Sequence, residues 1–122
     1  MAGSIVHFEL PAQDTARAKR FYESVFRWDF REAGDAPIEY HMTEGIEPVA
    51  AIYPRQGDEQ GPVVYFDTAD LDATLARVRE RGGEAEDKQP IPGIGWFARC
   101  RDTEGNAFSL FQPDESVPAP AA

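Results

Sequence analysis

His7 and Glu9 stand two residues apart in the run Ile5-Val6-His7-Phe8-Glu9-Leu10. In an extended strand that spacing puts imidazole and carboxylate on the same face. Such a pair can move a proton to or from a carbonyl compound lying across it. A histidine on a semi-buried strand can equally spend its nitrogens on a neighbour and do no chemistry. Cys100 is the only cysteine, which excludes an intrachain disulfide and a multi-cysteine zinc site. Its place in the apolar run Trp96-Phe97-Ala98-Arg99-Cys100 reads as that of a structural thiol. A net charge of −10 repels phosphate backbones and argues against nucleic acid as a partner. It favours a cationic small molecule, or simply a solvated acidic surface.

The elements that must position these residues come twice. His7-Phe8-Glu9-Leu10-Pro11-Ala12-Gln13-Asp14 and Val63-Val64-Tyr65-Phe66-Asp67-Thr68-Ala69-Asp70 lie over one another with a constant offset of 56 residues. Each copy is a short apolar run ending in an aspartate that caps an amphipathic segment. The first helix runs from Asp14 to about Phe26, with Ala18, Phe21, Tyr22 and Val25 forming the apolar stripe that should face the core. Three strands follow, Trp28–Phe30, Ile38–Met42 and Val49–Tyr53, separated by glycine- and proline-containing breakers. In the second copy Leu71, Leu75 and Val78 mark the helix, with a glycine stop at Gly82-Gly83. Ala85–Gln89 is a weak strand, Pro90–Gly95 a loop, and Trp96–Arg101 and Ala107–Gln112 close the copy.

The expected class is α+β: two tandem βαβββ modules whose curved mixed sheet carries its helices outside and forms a cup for a ligand. At 122 residues the chain reads as one domain over 1–113, with module one at about 5–54, module two at about 62–112, and a disordered tail at 114–122. No apolar run approaches the ~20 residues of a membrane span. Met1-Ala2-Gly3-Ser4 has neither a basic region nor a long apolar stretch, so a cytoplasmic location is expected.

The Asp-opened Thr15–Tyr22 segment, the Asp102-Thr103-Glu104-Gly105-Asn106 turn before the last strand and the duplicated element order resemble the vicinal oxygen chelate superfamily of glyoxalases, extradiol dioxygenases and bleomycin-resistance proteins. The resemblance covers about residues 5–112 and implies fold more firmly than activity. In metal-dependent members, it implies, four ligands project from the inner face, two from each copy. His7 stands at the first of those places; the others fall at Val63, Ala51 and Ser109. A catalytic divalent site needs about three protein ligands and an open position. With Glu9 this chain offers two, so no metal cofactor is expected, and a divalent ion is disfavoured.

Two residues along from the vacant places, Tyr53, Tyr65 and Phe111 should share the cavity face, giving an aromatic lining suited to a planar organic ligand. The candidate ligand-binding set is thus Tyr53, Val63, Tyr65, Trp96, Ser109 and Phe111, with His7 and Glu9 as candidate catalytic residues. Trp96 enters because glycines on both sides of Ile94 permit its loop to move. Of Tyr40 and His41, one points inward and the other does not. The leading expectation is a metal-independent protein that binds a small aromatic or cationic ligand. The alternative is a glyoxalase- or dioxygenase-like lyase or oxidoreductase using His7 as ligand or base. Relatives of this length imply a homodimer, with Trp28, Phe30 and Trp96 as interface candidates.

Overall fold

The computed structural model describes residues 3–32, 39–57 and 61–118. Ile38, part of the linker between the copies and residues 119–122 of the expected tail lie outside them. The described chain divides into two compact units, residues 6–63 and residues 1–5 with 64–122. The class is α+β, and each unit carries one module.

Module one runs β1 (Ile5–Ala12), α1 (Thr15–Phe26), β2 (Asp29–Glu32), β3 (His41–Glu44) and β4 (Val49–Pro54). Its strands lie in the order β2-β3-β4-β1, with β1 parallel to β4 and the other pairs antiparallel. Ala50, Ala51, Ile52 and Tyr53 of β4 are all buried, so this strand is covered on both faces. Glu9, Ala51 and Met42 are partners across the ladder and share one face; Leu10, Ile52 and His41 share the other. Asp14 caps α1 as its position predicts, accepting from the Arg17 backbone N–H at 2.9 Å.

The apolar stripe of α1 departs from expectation. No residue of the helix is buried, and Phe21, Val25 and Phe26 are each more than half exposed. Tyr22 turns instead to Trp28, stacking at 4.9 Å between ring centroids. Aromatic contacts along α1 and into the strand after it thereby stand where the apolar stripe was expected to face the core.

Module two runs β5 (Val63–Asp67), α2 (Leu71–Glu80), β6 (Glu84–Ala85), β7 (Gln89–Ile91), β8 (Gly95–Arg101) and β9 (Ala107–Pro113). Its order is β5-β9-β8-β6, with β5 parallel to β9 and β7 also paired to β8. Here the helix does what its periodicity demands. Leu71 and Leu75 pack with Ala98, Cys100 and Leu110 in a buried cluster. Asp70 caps α2 through the Ala73 N–H at 3.0 Å.

Two segments of module two differ from the sequence reading. The stretch read as a loop over 90–95 is largely a hairpin, because Ile91 pairs with Gly95 and Pro90 with Trp96 around a turn in which Gly93 has positive φ. A Cβ on Gly95 would lie 2.2 Å from the Gln112 carbonyl oxygen, so only glycine permits this close approach of β8 to β9. The tail does not begin where the prolines suggested. Asp114 N–H donates to the Ile94 carbonyl, Gly93 N–H to Val117, and Val117 is buried, so residues 114–117 are docked on the hairpin.

Candidate functional site

In module one, β1 presents His7 and Glu9 on one face, and a third residue joins them. His7 Nε2 lies 2.7 Å from the Tyr40 hydroxyl, which donates to Glu9 Oε2, also at 2.7 Å. Tyr53 closes the group, its ring 6.2 Å from that of Tyr40. Tyr40 precedes β3 and keeps the parity of Met42, which is the Glu9 face. His41 takes the other face. Its Nε2 is 2.6 Å from Glu39 Oε2, to which Thr15 Oγ1 also donates, and its Nδ1 is 3.7 Å from Glu32. The Thr15 and then the His41 hydrogen bond hold the Glu39 carboxyl below its ordinary range.

The proton count of the first group is informative. A phenol has one proton, and Tyr40 directs it to Glu9, so His7 must donate Nε2–H to the phenol oxygen. The Val49 backbone is also hydrogen-bonded to the imidazole, in the sense that favours the protonated ring. Burial outweighs that contact and lowers the His7 pKa from 6.5 to about 4, leaving the ring neutral at pH 7 with a single N–H. Tyr40 and Val49 then compete for that N–H while the phenol proton serves Glu9. An added proton can settle on Glu9 if the Tyr40 hydroxyl turns to His7 Nε2 and the imidazole N–H goes to Val49. Chemically, this is a proton acceptor.

The metal reading can be weighed on the same donors. His7 and Glu9 are both engaged by Tyr40, and the remaining places implied by the resemblance carry Val63, Ala51 and Ser109, none of which supplies a carboxylate or imidazole. Among the described residues, no group of three His, Cys, Asp or Glu side chains is arranged to hold an ion. The donor set does not fit a divalent centre.

Module two holds the other residues singled out from sequence. Val63 opens β5, and Tyr65 pairs directly with Ser109. Ser109 is fully buried, and among the described residues its hydroxyl has no hydrogen-bond partner. Phe111 pairs with Phe97 across the β8–β9 ladder. Trp96 has the opposite parity and packs with the α2 cluster, its indole N–H donating to Asp114 at 3.4 Å and the Lys88 ammonium 4.9 Å from its ring centroid. Cys100 belongs to the same cluster, where burial pushes its thiol up to about 11 and keeps it protonated. A surface groove of about 480 Å³ runs along Ala85, Glu86, Asp87 and Gln89, of which Ala85 pairs with Cys100 and Gln89 with Phe97.

Sequence reasoning missed Tyr40 as the bridge and Arg99 as a face-sharing neighbour of Ser109. Parity with Met42 was the available signal for the first. For the second it was the alternation of Arg99 with the core residues Ala98 and Cys100.

The family model described as Glyoxalase/Bleomycin resistance protein/Dioxygenase superfamily matches residues 4–110. The chain belongs to this superfamily. A glyoxylase-like domain-containing protein of Didymella fabae is 29% identical over 118 residues, covering 88% of this chain and 92% of that protein. A longer Mycobacterium bovis protein is 30% identical over 125 residues, and the match spans 91% of this chain but only 44% of its relative. Among solved structures, the methylmalonyl-CoA epimerase of Mycobacterium tuberculosis superposes with a TM-score of 0.64 at 18% identity, covering 97% of this chain and 89% of that one. That likeness is one of fold. No helix among the described residues is long and apolar enough to cross a membrane.

Proposed function

We propose that this superfamily member binds a small organic ligand without a resident metal and uses His7, Tyr40 and Glu9 to take up a proton from it. The observation that carries the reading is the pair of 2.7 Å contacts joining the three side chains through one phenol proton. Burial of His7 supports it, because a ring held neutral at pH 7 leaves Glu9 as the group that gains the proton. A carbonyl compound with an acidic α-hydrogen is the ligand class such a base serves, and an epimerase among the fold relatives is consistent with α-proton chemistry. Glu9, not His7, is then the terminal base, and His7 with Tyr40 holds it in place.

The test is deuterium exchange at the α-carbon of a panel of small carbonyl compounds in heavy water, followed by NMR, with chelator present. The reading expects catalysed exchange that persists with chelator and is lost in Glu9→Gln and Tyr40→Phe. A second reading, binding without turnover, is favoured by the aromatic contact of Tyr53 with Tyr40. It expects ligand-dependent thermal stabilisation and no exchange. Assembly as a cytoplasmic homodimer goes with either reading, and the exposed Phe21, Val25 and Phe26 of α1 support the dimer. Sedimentation equilibrium of wild type and Phe21→Ser tests it.

A further inference from the structure

Tyr40 bridges His7 and Glu9 from outside any strand. β2 ends at Glu32 and β3 begins at His41, where those two residues pair. Tyr40 precedes that pair, yet its hydroxyl meets His7 and Glu9 at 2.7 Å each. A phenol keeps two such contacts only if the backbone beneath it is held in one conformation, and ordering it costs entropy.

Its two neighbours in the chain supply the hold. Glu39 and His41 are two residues apart and lie on the face opposite Tyr40, where His41 Nε2 is 2.6 Å from Glu39 Oε2. This link closes over the backbone of position 40 from behind. Thr15 Oγ1, in the first residue of α1, donates to the same carboxylate oxygen. Only Gln13 and Asp14 separate α1 from β1, so the tie reaches the strand that carries His7 and Glu9. The two hydrogen bonds hold the Glu39 carboxyl below its ordinary range, so it is ionised and only accepts. His41 must therefore donate Nε2–H. Its ring is buried, with Nδ1 turned toward Glu32 at 3.7 Å, and a packed ring cannot swing away from Glu39 without displacing its neighbours. Glu39, itself partly exposed, is thus fastened to a fixed point.

We infer that Glu39 and His41 are positioning residues for the module-one site: their hydrogen bond, tied to α1 through Thr15, holds position 40 so that the Tyr40 hydroxyl reaches both His7 and Glu9, an inference that rests on the site proposed above. Neither side chain shares the face of Glu9, so both act through Tyr40. The role accounts for a buried imidazole and a carboxylate on the side of the sheet away from the proton chemistry, where polar groups are costly unless they satisfy one another.

The experiment reads Tyr40 directly, through the carbon-13 resonance of its phenol Cζ in tyrosine-labelled full chain. The chain has four tyrosines, and the line missing from Tyr40→Phe is that of Tyr40. Glu9→Gln should move this line, because it changes the acceptor of the phenol proton. Glu39→Ala should move it too and should slow α-deuterium exchange at least about tenfold, the order expected when a reacting group is misplaced. Glu39→Gln keeps an oxygen for the His41 N–H, so it should return the line most of the way and hold exchange within about threefold of wild type. Leu75→Ala, which weakens the core of module two, should leave the line in place. A Tyr40 line unmoved by Glu39→Ala, a Glu39→Gln variant that behaves as Glu39→Ala does, or an equal displacement in Leu75→Ala would each overturn the inference and leave the proposed function standing. A line that ignores Glu9→Gln would remove the bridge itself, and both readings with it. If wild type exchanges no α-hydrogen, the proton chemistry fails while the Tyr40 line still decides the positioning.

Discussion

The two modules repeat the same order of elements and use it for opposite ends. Val63 stands in β5 where His7 stands in β1, and the difference spreads outward from there. Module two packs α2 by burying Leu71 and Leu75 against Ala98, Cys100 and Leu110. Module one buries nothing of α1 and places three polar side chains in a hydrogen-bonded chain on the sheet face that carries Glu9 and Met42. Duplication lets one copy supply core while its twin carries groups that are expensive to bury. The polar copy must then satisfy those groups among themselves, which is what Tyr40 does.

This contrast can be broken most forcefully in the cores. Leu75→Ala should lower the unfolding free energy by roughly 2–5 kcal/mol, because it empties part of a closed cluster. Phe21→Ala on α1 should cost far less, within about 1 kcal/mol, since Phe21 is 57% exposed. Urea denaturation of both variants makes the comparison, and equal losses would refute it.

Acid should discriminate the modules next. The His7 pKa is lower folded, at about 4, than in an unfolded chain, near 6.5, so between those values the unfolded chain binds more protons. Stability is therefore full above about pH 6.5 and falls as pH drops toward 4, by on the order of 3 kcal/mol at most. His7→Gln should flatten that part of the profile, measured by thermal unfolding across the window.

The helix caps should behave alike in both copies. Asp14→Ala and Asp70→Ala each remove one side-chain acceptor from a first-turn N–H and should each cost about 1 kcal/mol. Unequal losses would mean that the repeated aspartates are equivalent in sequence but not in energetics.

How much of this could be read beforehand follows the same division. The caps, the α2 stripe and the placement of Tyr53 on the face of His7 and Glu9 were legible, because each depends on local geometry and strand parity. Tyr40 was not, since it lies just outside β3 and its role depends on a neighbour 31 residues away. The exposed face of α1 was not legible either. Periodicity reports which residues share a helix face, and it cannot tell whether anything covers that face. Likewise, the hairpin over 89–97 hid behind two prolines whose turn geometry only the β8 pairing reveals.

Module one holds a half-buried neutral imidazole tied through Tyr40 to the Glu9 carboxylate. Nitrogen-15 NMR titration of the His7 ring, in wild type and Tyr40→Phe, tests it most directly. The account predicts a ring that stays neutral until the pH approaches about 4 in wild type, with an Nε2 resonance that changes when the phenol oxygen is removed. A ring that titrates near 6.5 in both proteins, with the same nitrogen resonances, would contradict it.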